Sequence, residues 1–396
     1  MKEINCDVLV VGAGPAGSVT AWYAAKGGAS VLLVEKRQEI GSPVRCGEGL
    51  SKYWLKDVGI PEDRRWIANE VDGARIFSPA GKAWIIDEKS AGNEVGYVIE
   101  RDQFDKYLAQ LAARAGAEIM LKTWVKGIIK KDGFVCGAVA RHMGEDVRIN
   151  AKIVVGADGY ESQVGRWAGI DTSLKPNDID TCIQYRMTGI ECDRRFCDFY
   201  LGSVAPGGYI WVFPKNEDTA NVGIGVQLSK IKKPGEVRQY LDRWIEKQPG
   251  IKKGKKIDMV AGAVSISQPL ERTVDNGLML VGDAARMIDP ITGGGVSNGC
   301  KAGKVCGEVA AQAIEAKDCS AEFLQRYERG WRAILEEKQY RNWLAKEKLV
   351  TLSDDVFNEI IELLADTKLE KLNVYNLLKA VRAKFPDLVK EFEEML

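Results

Sequence analysis

The chain has 396 residues, 56 Lys or Arg balanced against 56 Asp or Glu, nine Cys and a single His. That length exceeds one ordinary hydrophobic core and points to two joined domains, and the even charge balance with no long basic stripe argues against a nucleic-acid partner. The cysteines, at 6, 46, 136, 182, 192, 197, 300, 306 and 319, form no C-x-x-C pair and no cluster with the histidine. Neither a disulfide framework nor a metal site is expected, and a reducing cytoplasm suits such a chain. His142 sits in a polar hairpin, ARHMGED, and reads as a surface residue, which leaves Ser-His-Asp and His-metal chemistry without its key side chain.

In chain order, Val8–Val11 read as a strand buried on both faces, entered so early that no room for a signal peptide is expected. Gly12, Gly14 and Gly17 then give the spacing G-x-G-x-x-G ahead of a helical run, SVTAWYAAKGG. Gly12 permits the tight turn, Gly14 lets a pyrophosphate approach the backbone, and Gly17 lets helix and strand pack closely. A second apolar strand ends in Glu35, eighteen residues after Gly17, where a carboxylate can hold both hydroxyls of an adenosine ribose. Residues 8–25 carry no charge, but the glycines, the proline and the hydroxyls of Ser18 and Thr20 fit a nucleotide turn better than a membrane span.

Beyond Glu35 lies a glycine-rich loop, EIGSPVRCGEGLS, with no regular period. Residues 74–87 read as a hairpin turning at Ser78–Lys82; a helix over Arg101–Ala115 and a strand over Glu118–Val125 follow. A further hairpin turns at Asp132-Gly133, and a buried strand, Lys152–Val155, runs into GADGYES. From Asp178 to Val226 short aromatic and β-branched segments predict an antiparallel sheet. After a helix over Glu236–Lys247, the strand Gly277–Gly282 returns the chain to the nucleotide domain, and Gly293–Gly295 open a helix to about Glu315. The predicted fold is α/β: a discontinuous Rossmann-type domain (1–72, 100–175, 273–320), an inserted antiparallel-sheet domain for substrate (73–99, 176–272) and a C-terminal helical region (321–396).

GAGPAG, GADG and GDA, in that order, resemble the FAD-containing family of aromatic hydroxylases and geranylgeranyl reductases. The resemblance implies FAD, with no second fingerprint for a stably bound NAD(P)H. Asp283, at a strand end, is placed to accept from a ribityl hydroxyl, and the helix opened by Gly295 and Val296 would turn its positive end to the reduced flavin. By resemblance Arg101 approaches the isoalloxazine or pyrophosphate, with a plain pairing to Asp102 or Asp105 as the alternative, and Val125 meets the adenine through its backbone. Ala16, inside the glycine loop, belongs to the same set. Asp158 either touches the cofactor or caps the next helix.

PVRCGEGLS at 43–51 and PGGYIWVFP at 206–214, with AGNEVGYVIERDQFDKYL and NWLAKEKL, resemble archaeal digeranylgeranylglycerophospholipid reductases over nearly the whole chain. The resemblance implies cofactor contacts for Cys46, Gly47 and Gly49, and a lipid-facing wall of Tyr209, Trp211 and Phe213. Alternation alone places those three aromatics on one strand face, where they could equally form an ordinary core. Cys46 is either a small buried hydrophobe or, with Tyr209, a candidate catalytic proton donor. The expected activity is FAD-dependent hydrogenation of geranylgeranyl chains on an isoprenoid glycerophospholipid at the cytoplasmic face of a membrane. Electrons would come from a transient donor: reduced ferredoxin, a deazaflavin or NAD(P)H. Alternatives are an FAD monooxygenase of a small aromatic and a non-redox prenyl-binding flavoprotein. Between Arg326 and Lys348 basic residues interleave with Trp331, Trp343 and Leu344, which either pack on the domains or rest peripherally on anionic lipid.

Overall fold

The computed structural model describes residues 1–87, 96–367, 374–386 and 389–390. It comprises two compact units, residues 1–44, 101–174 and 267–340 in the first, and 45–100, 175–266 and 341–396 in the second. Residues 45–72, expected with the nucleotide domain, and 341–396, expected in a separate helical region, thus group with the sheet unit. The AGNEV stretch (91–95) of one recognition motif lies outside the described residues.

In the first unit the strand Lys2–Val11 is central. It pairs in parallel with Val31–Val34 on one side and Glu145–Gly156 on the other. Leu278–Leu280 extends the sheet beyond Glu145–Gly156, and Glu118–Met120 extends it beyond Val31–Val34, both in parallel. Val8, Leu9 and Val10 are fully buried, as apolar strands covered on both faces should be. The expected strand Glu118–Val125 is instead two strands, Glu118–Met120 and Thr123–Lys131, parted at Lys122, whose φ of 48° breaks the pleat. The hairpin at Asp132-Gly133 forms as expected, with both residues at positive φ.

The helix Pro15–Lys26 starts with proline at its first position, where the missing N–H is no loss. It lies against the helix Val296–Ala316, whose Gly299, Gly303 and Gly307 recur every four residues and so share a face. A Cβ on Gly303 would stand 2.7 Å from the Ala16 carbonyl oxygen, and one on Gly307 2.5 Å from that of Thr20. Only small residues permit this approach. The uncharged stretch 8–25 is therefore a strand, turn and helix, and among the described residues no helix is long and apolar enough to cross a membrane.

The second unit is built on a seven-stranded sheet. Its order is Lys255–Ser265, Ile179–Thr188, Thr219–Gln227, Tyr209–Pro214, Phe196–Tyr200, Gly73–Phe77 and Ala83–Asp87. All neighbours are antiparallel except Phe196–Tyr200 with Gly73–Phe77, which are parallel. The helix Glu236–Glu246 packs through Val237, Leu241, Trp244 and Ile245 on the face carrying Ile210, Val212, Val222 and Ile224. A small sheet of Gly49–Ser51, Gly96–Ile99 and Ile67–Val71 stands beside it in sequence but is separately paired. Ile361, Leu364 and Val381 of the C-terminal helices cluster with Trp84 and Ile86.

The helix Ala321–Leu349 buries Tyr327 and Trp331, whose hydroxyl and indole N–H donate to the Leu280 carbonyl (2.6 Å) and Thr273 Oγ1 (2.9 Å). Leu344 is buried as well. Packing accounts for these apolar residues without a lipid surface.

Candidate functional site

The first unit gathers three distant motifs at the carboxyl ends of its parallel strands, where open α/β sheets bind nucleotides. Gly12 turns the chain with φ of 107°, and a Cβ there would lie 2.3 Å from the Ala157 carbonyl oxygen. A Cβ on Gly17 would fall 1.9 Å from the Gly12 oxygen, so helix and turn touch, whereas one on Gly14 would meet nothing within 4 Å. Gly14 is thus the open face of the cradle. Glu35 stands at its side, its carboxylate accepting from the N–H groups of Ala13 (3.1 Å) and Arg37 (3.0 Å). Val125 is buried two residues along from Thr123, whose N–H donates to the Glu35 carbonyl.

The GADG and GDA motifs are joined by the Ser162 hydroxyl, which donates to the Ala284 carbonyl at 2.8 Å. Asp158 caps the helix Gln163–Ala168 by accepting from the Val164 N–H at 3.0 Å, while its Oδ1 is buried with no partner. Asp283 is reached by solvent yet surrounded by protein atoms, and this desolvation pushes its carboxyl up, opposed by the Arg101 guanidinium. A Cβ on Gly295, at the mouth of the Val296–Ala316 helix, would sit 3.0 Å from Asp283 Oδ1. Arg101 pairs with Asp105 through two bonds of 2.8 and 2.9 Å, the alternative weighed for it, but its charge also reaches Asp283. An open glycine cradle, a carboxylate at the second strand's end, a helix N-terminus and a cation beside Asp283 fit the parts of a flavin dinucleotide.

In the second unit one face of the sheet carries the remaining predicted residues. In register across three strands lie Tyr209, Gly225 and Cys182; then Trp211, Gly223 and Gln184; then Phe213, Asn221 and Arg186. The aromatics do share a face, opposite Ile210 and Val212, as alternation requires. Trp211 reaches over Gly223, where a Cβ would lie 2.2 Å from its ring, and donates to Gln184 Oε1 at 2.8 Å. Phe199 meets Tyr209 and Phe213 edge-on. Gly225 carries no side chain between Tyr209 and Cys182, and Cys182 Sγ lies 3.4 Å from where its Cβ would stand.

The loop carrying Cys46 lies on this face. Cβ atoms on Gly47 and Gly49 would stand 2.9 and 3.1 Å from the Phe213 ring, and Arg45 runs over Gly262. The structure therefore brings Cys46, Gly47 and Gly49 to the aromatic strand. What fastens the loop is Glu48, which sequence reasoning missed. Its buried carboxylate accepts from Asn221 (2.6 Å) and Arg186 (3.0 Å) and pairs with Lys215 (2.8 Å). Glu100 bridges the same Arg186 (2.9 Å) and Lys215 (3.1 Å), and Lys215 also donates to the Ile99 carbonyl (2.5 Å). Two acids and two bases close a neutral network that holds Glu48 at a left-handed φ of 73°, with its N–H donating to Cys46 Sγ at 3.2 Å. A charged residue inside a glycine-rich loop was the available signal. His142 lies at its hairpin, its Nδ1 2.8 Å from Thr123 Oγ1.

Residues 178–264 match the family described as geranylgeranyl reductase catalytic domain, and residues 10–48 match an NAD(P)-binding Rossmann-like domain. The chain is 52% identical over 392 residues to a digeranylgeranylglycerophospholipid reductase of Thermoplasma acidophilum, covering 98% of this chain and 99% of the relative. It is 50% identical over 396 residues to one of Picrophilus torridus, with both chains fully covered. A solved structure from Thermoplasma acidophilum, described as geranylgeranyl bacteriochlorophyll reductase-like, superimposes with a TM-score of 0.95 at 51% identity over all of both chains. A flavin-dependent brominase (22% identity, TM-score 0.73) and a p-nitrophenol 4-monooxygenase (17%, 0.74), each matched over at least 98% of this chain, share the fold. The chain belongs to the digeranylgeranylglycerophospholipid reductase family of oxidoreductases.

Proposed function

We propose that this chain is an FAD-dependent reductase that saturates the geranylgeranyl chains of 2,3-digeranylgeranylglycerophospholipids. The observation that carries the reading is the sheet face on which the Cys46 loop meets Trp211 and Phe213, with Tyr209 next along the same strand face. The aromatic rings on such a face suit a polyprenyl chain, which has no hydrogen bonds to offer. Gly12, Gly14, Ala16, Gly17, Glu35, Arg101, Val125, Asp283, Gly295 and Val296 would hold FAD in the first unit, and Cys46, Gly47 and Gly49 are the further cofactor contacts that the family resemblance implies. Bound FAD, once reduced, supplies a hydride equivalent.

An isolated trisubstituted alkene is not polarised, so hydride addition at one carbon needs a proton at the other. We assign that proton to Cys46 or Tyr209. The donor of electrons is a transient partner, a reduced ferredoxin, a deazaflavin or NAD(P)H, and the enzyme works at the cytoplasmic face of the membrane. The test is to reduce the bound flavin anaerobically, remove excess reductant, add a geranylgeranylated glycerophospholipid, and follow flavin spectrum and lipid mass together. Reoxidation with a gain of two hydrogens per turnover is expected. A flavin that stays reduced until air is admitted would refute the lipid assignment and favour an oxygen-using monooxygenase or a carrier. Cys46→Ser and Tyr209→Phe, assayed likewise, identify the proton donor, and unchanged rates in both would remove these two residues from that role.

A further inference from the structure

Asp180 lies on the same sheet face, one register position beyond Cys182, flanked across the strands by Gln227 and Val264. It is only 7% exposed, and its Oδ1 is buried without a hydrogen-bond partner. Its Oδ2 lies 3.4 Å from where a Cβ on Gly208 would stand and 3.6 Å from the corresponding point on Gly225. Gly208 directly precedes Tyr209, Gly225 is the register partner of Tyr209, and Cys182 Sγ is 3.4 Å from that same Gly225 point. Gly225 therefore interposes no side chain between the carboxyl and its own register partner Tyr209.

A buried carboxylate kept for stability is paired and hydrogen-bonded. Asp180 is not: the charged group that faces it, Lys346, is itself buried and bonded to Glu347. The other titratable groups nearby are the thiol of Cys182, which burial pushes up, and Cys46 beyond it. Burial likewise pushes the Asp180 carboxyl up to about 7, only partly offset by Lys346, so it can both hold and release a proton near neutrality.

We propose that Asp180 is the buried acid that restores the proton given up by Tyr209 when a double bond is reduced. This rests on the reductase reading above. The phenol O–H bond breaks as the proton forms a C–H bond at the alkene carbon opposite to hydride addition, leaving a phenolate. The Asp180 carboxylic acid then transfers its proton to the phenolate oxygen and becomes a carboxylate beside Lys346. Water returns the proton before the next cycle. Asp180 acts through Tyr209 and is a positioning and relay residue; no oxidant or reductant beyond the reductase's own is required.

The experiment compares wild type, Asp180→Asn, Tyr209→Phe and the double variant, all flavin-loaded. Infrared difference spectra recorded against pH without lipid are expected to show a protonated carboxylic acid that titrates near neutrality and is absent from Asp180→Asn. Repeated lipid reduction by Asp180→Asn, with dithionite as reductant, is expected to slow by about 100-fold or more with lipid affinity unchanged, and the double variant to be no slower than the slower single one. Absence of the infrared band, a wild-type turnover rate in Asp180→Asn, or rate losses that multiply in the double variant would each overturn the relay. A wild-type enzyme whose flavin is not reoxidised by lipid at all would instead overturn the reductase reading, and the relay with it.

Discussion

Replacing Lys215 by Met tests whether the Glu48 network is a closed charge balance. Lys215 is buried, with its side chain 4% exposed, and touches Glu48, Glu100 and the Ile99 carbonyl. Removing it leaves Glu48, with a fully buried side chain, and Glu100 sharing the single cation Arg186. Breaking a buried pair from one side costs about 3–5 kcal/mol, because a charge is left uncompensated. Glu100 and Arg186 retain 29% and 28% side-chain exposure, so some of the imbalance is screened and the lower end, about 3 kcal/mol, is expected. Glu48→Gln should cost a similar amount with the opposite sign of imbalance. The double variant removes one charge of each sign and leaves the Arg186–Glu100 pair intact, so its cost should fall short of the sum by about 1–3 kcal/mol. Urea unfolding followed by tryptophan fluorescence gives all three values. Costs that add to within about 0.5 kcal/mol would refute the balanced-network argument.

Gly17→Ala should yield soluble protein nearly devoid of visible flavin absorbance, since its Cβ would fall 1.9 Å from the Gly12 oxygen and force the turn open. Gly223→Ala pushes Trp211 off the sheet and breaks its bond to Gln184, so the protein should retain flavin, lose about 1–3 kcal/mol of stability and lose lipid turnover. Asp283→Asn should stabilise the flavin-free protein while weakening flavin retention. Desolvation raises the folded carboxyl above its unfolded value, so the folded form binds more protons, and Asp283 destabilises increasingly as pH rises from the unfolded value through the folded one. The advantage of Asn should therefore be absent in acid and grow toward neutral pH in thermal melts; an advantage that shrinks with pH would contradict this.

The nucleotide half of the fold was legible because its signals are local. Strand, glycine turn, helix and terminal Glu35 follow one another within thirty-five residues, and each glycine's role survives in the geometry. The aromatic face was legible from alternation at Tyr209, Trp211 and Phe213. What escaped was assembled from afar. The strand Lys255–Ser265 begins with exposed residues at the sheet edge and shows little apolar pattern. The three short strands of the Gly49–Ser51 sheet are each too brief to register a period. Glu48, Glu100, Arg186, Lys215 and Asn221 lie up to 173 residues apart in sequence, and nothing in any one segment announces the others. The break at Lys122 was hidden because apolar residues flank it on both sides, Ile119, Met120 and Leu121 before it and Trp124 and Val125 after it.

Ala16 sits at the junction of three motifs. Its Cβ is 2.7 Å from where a side chain on Gly282 would begin and 3.2 Å from the same point on Gly299. The phosphate loop, the GDA turn and the helix opened by Gly295 are thereby wedged into one rigid piece before any ligand arrives. A site already assembled by folding spends little of its binding free energy on ordering loops. On the proposed reading a bound flavin would therefore be a lodger rather than a visitor: it would stay through many cycles, and each electron donor and each lipid would come to it.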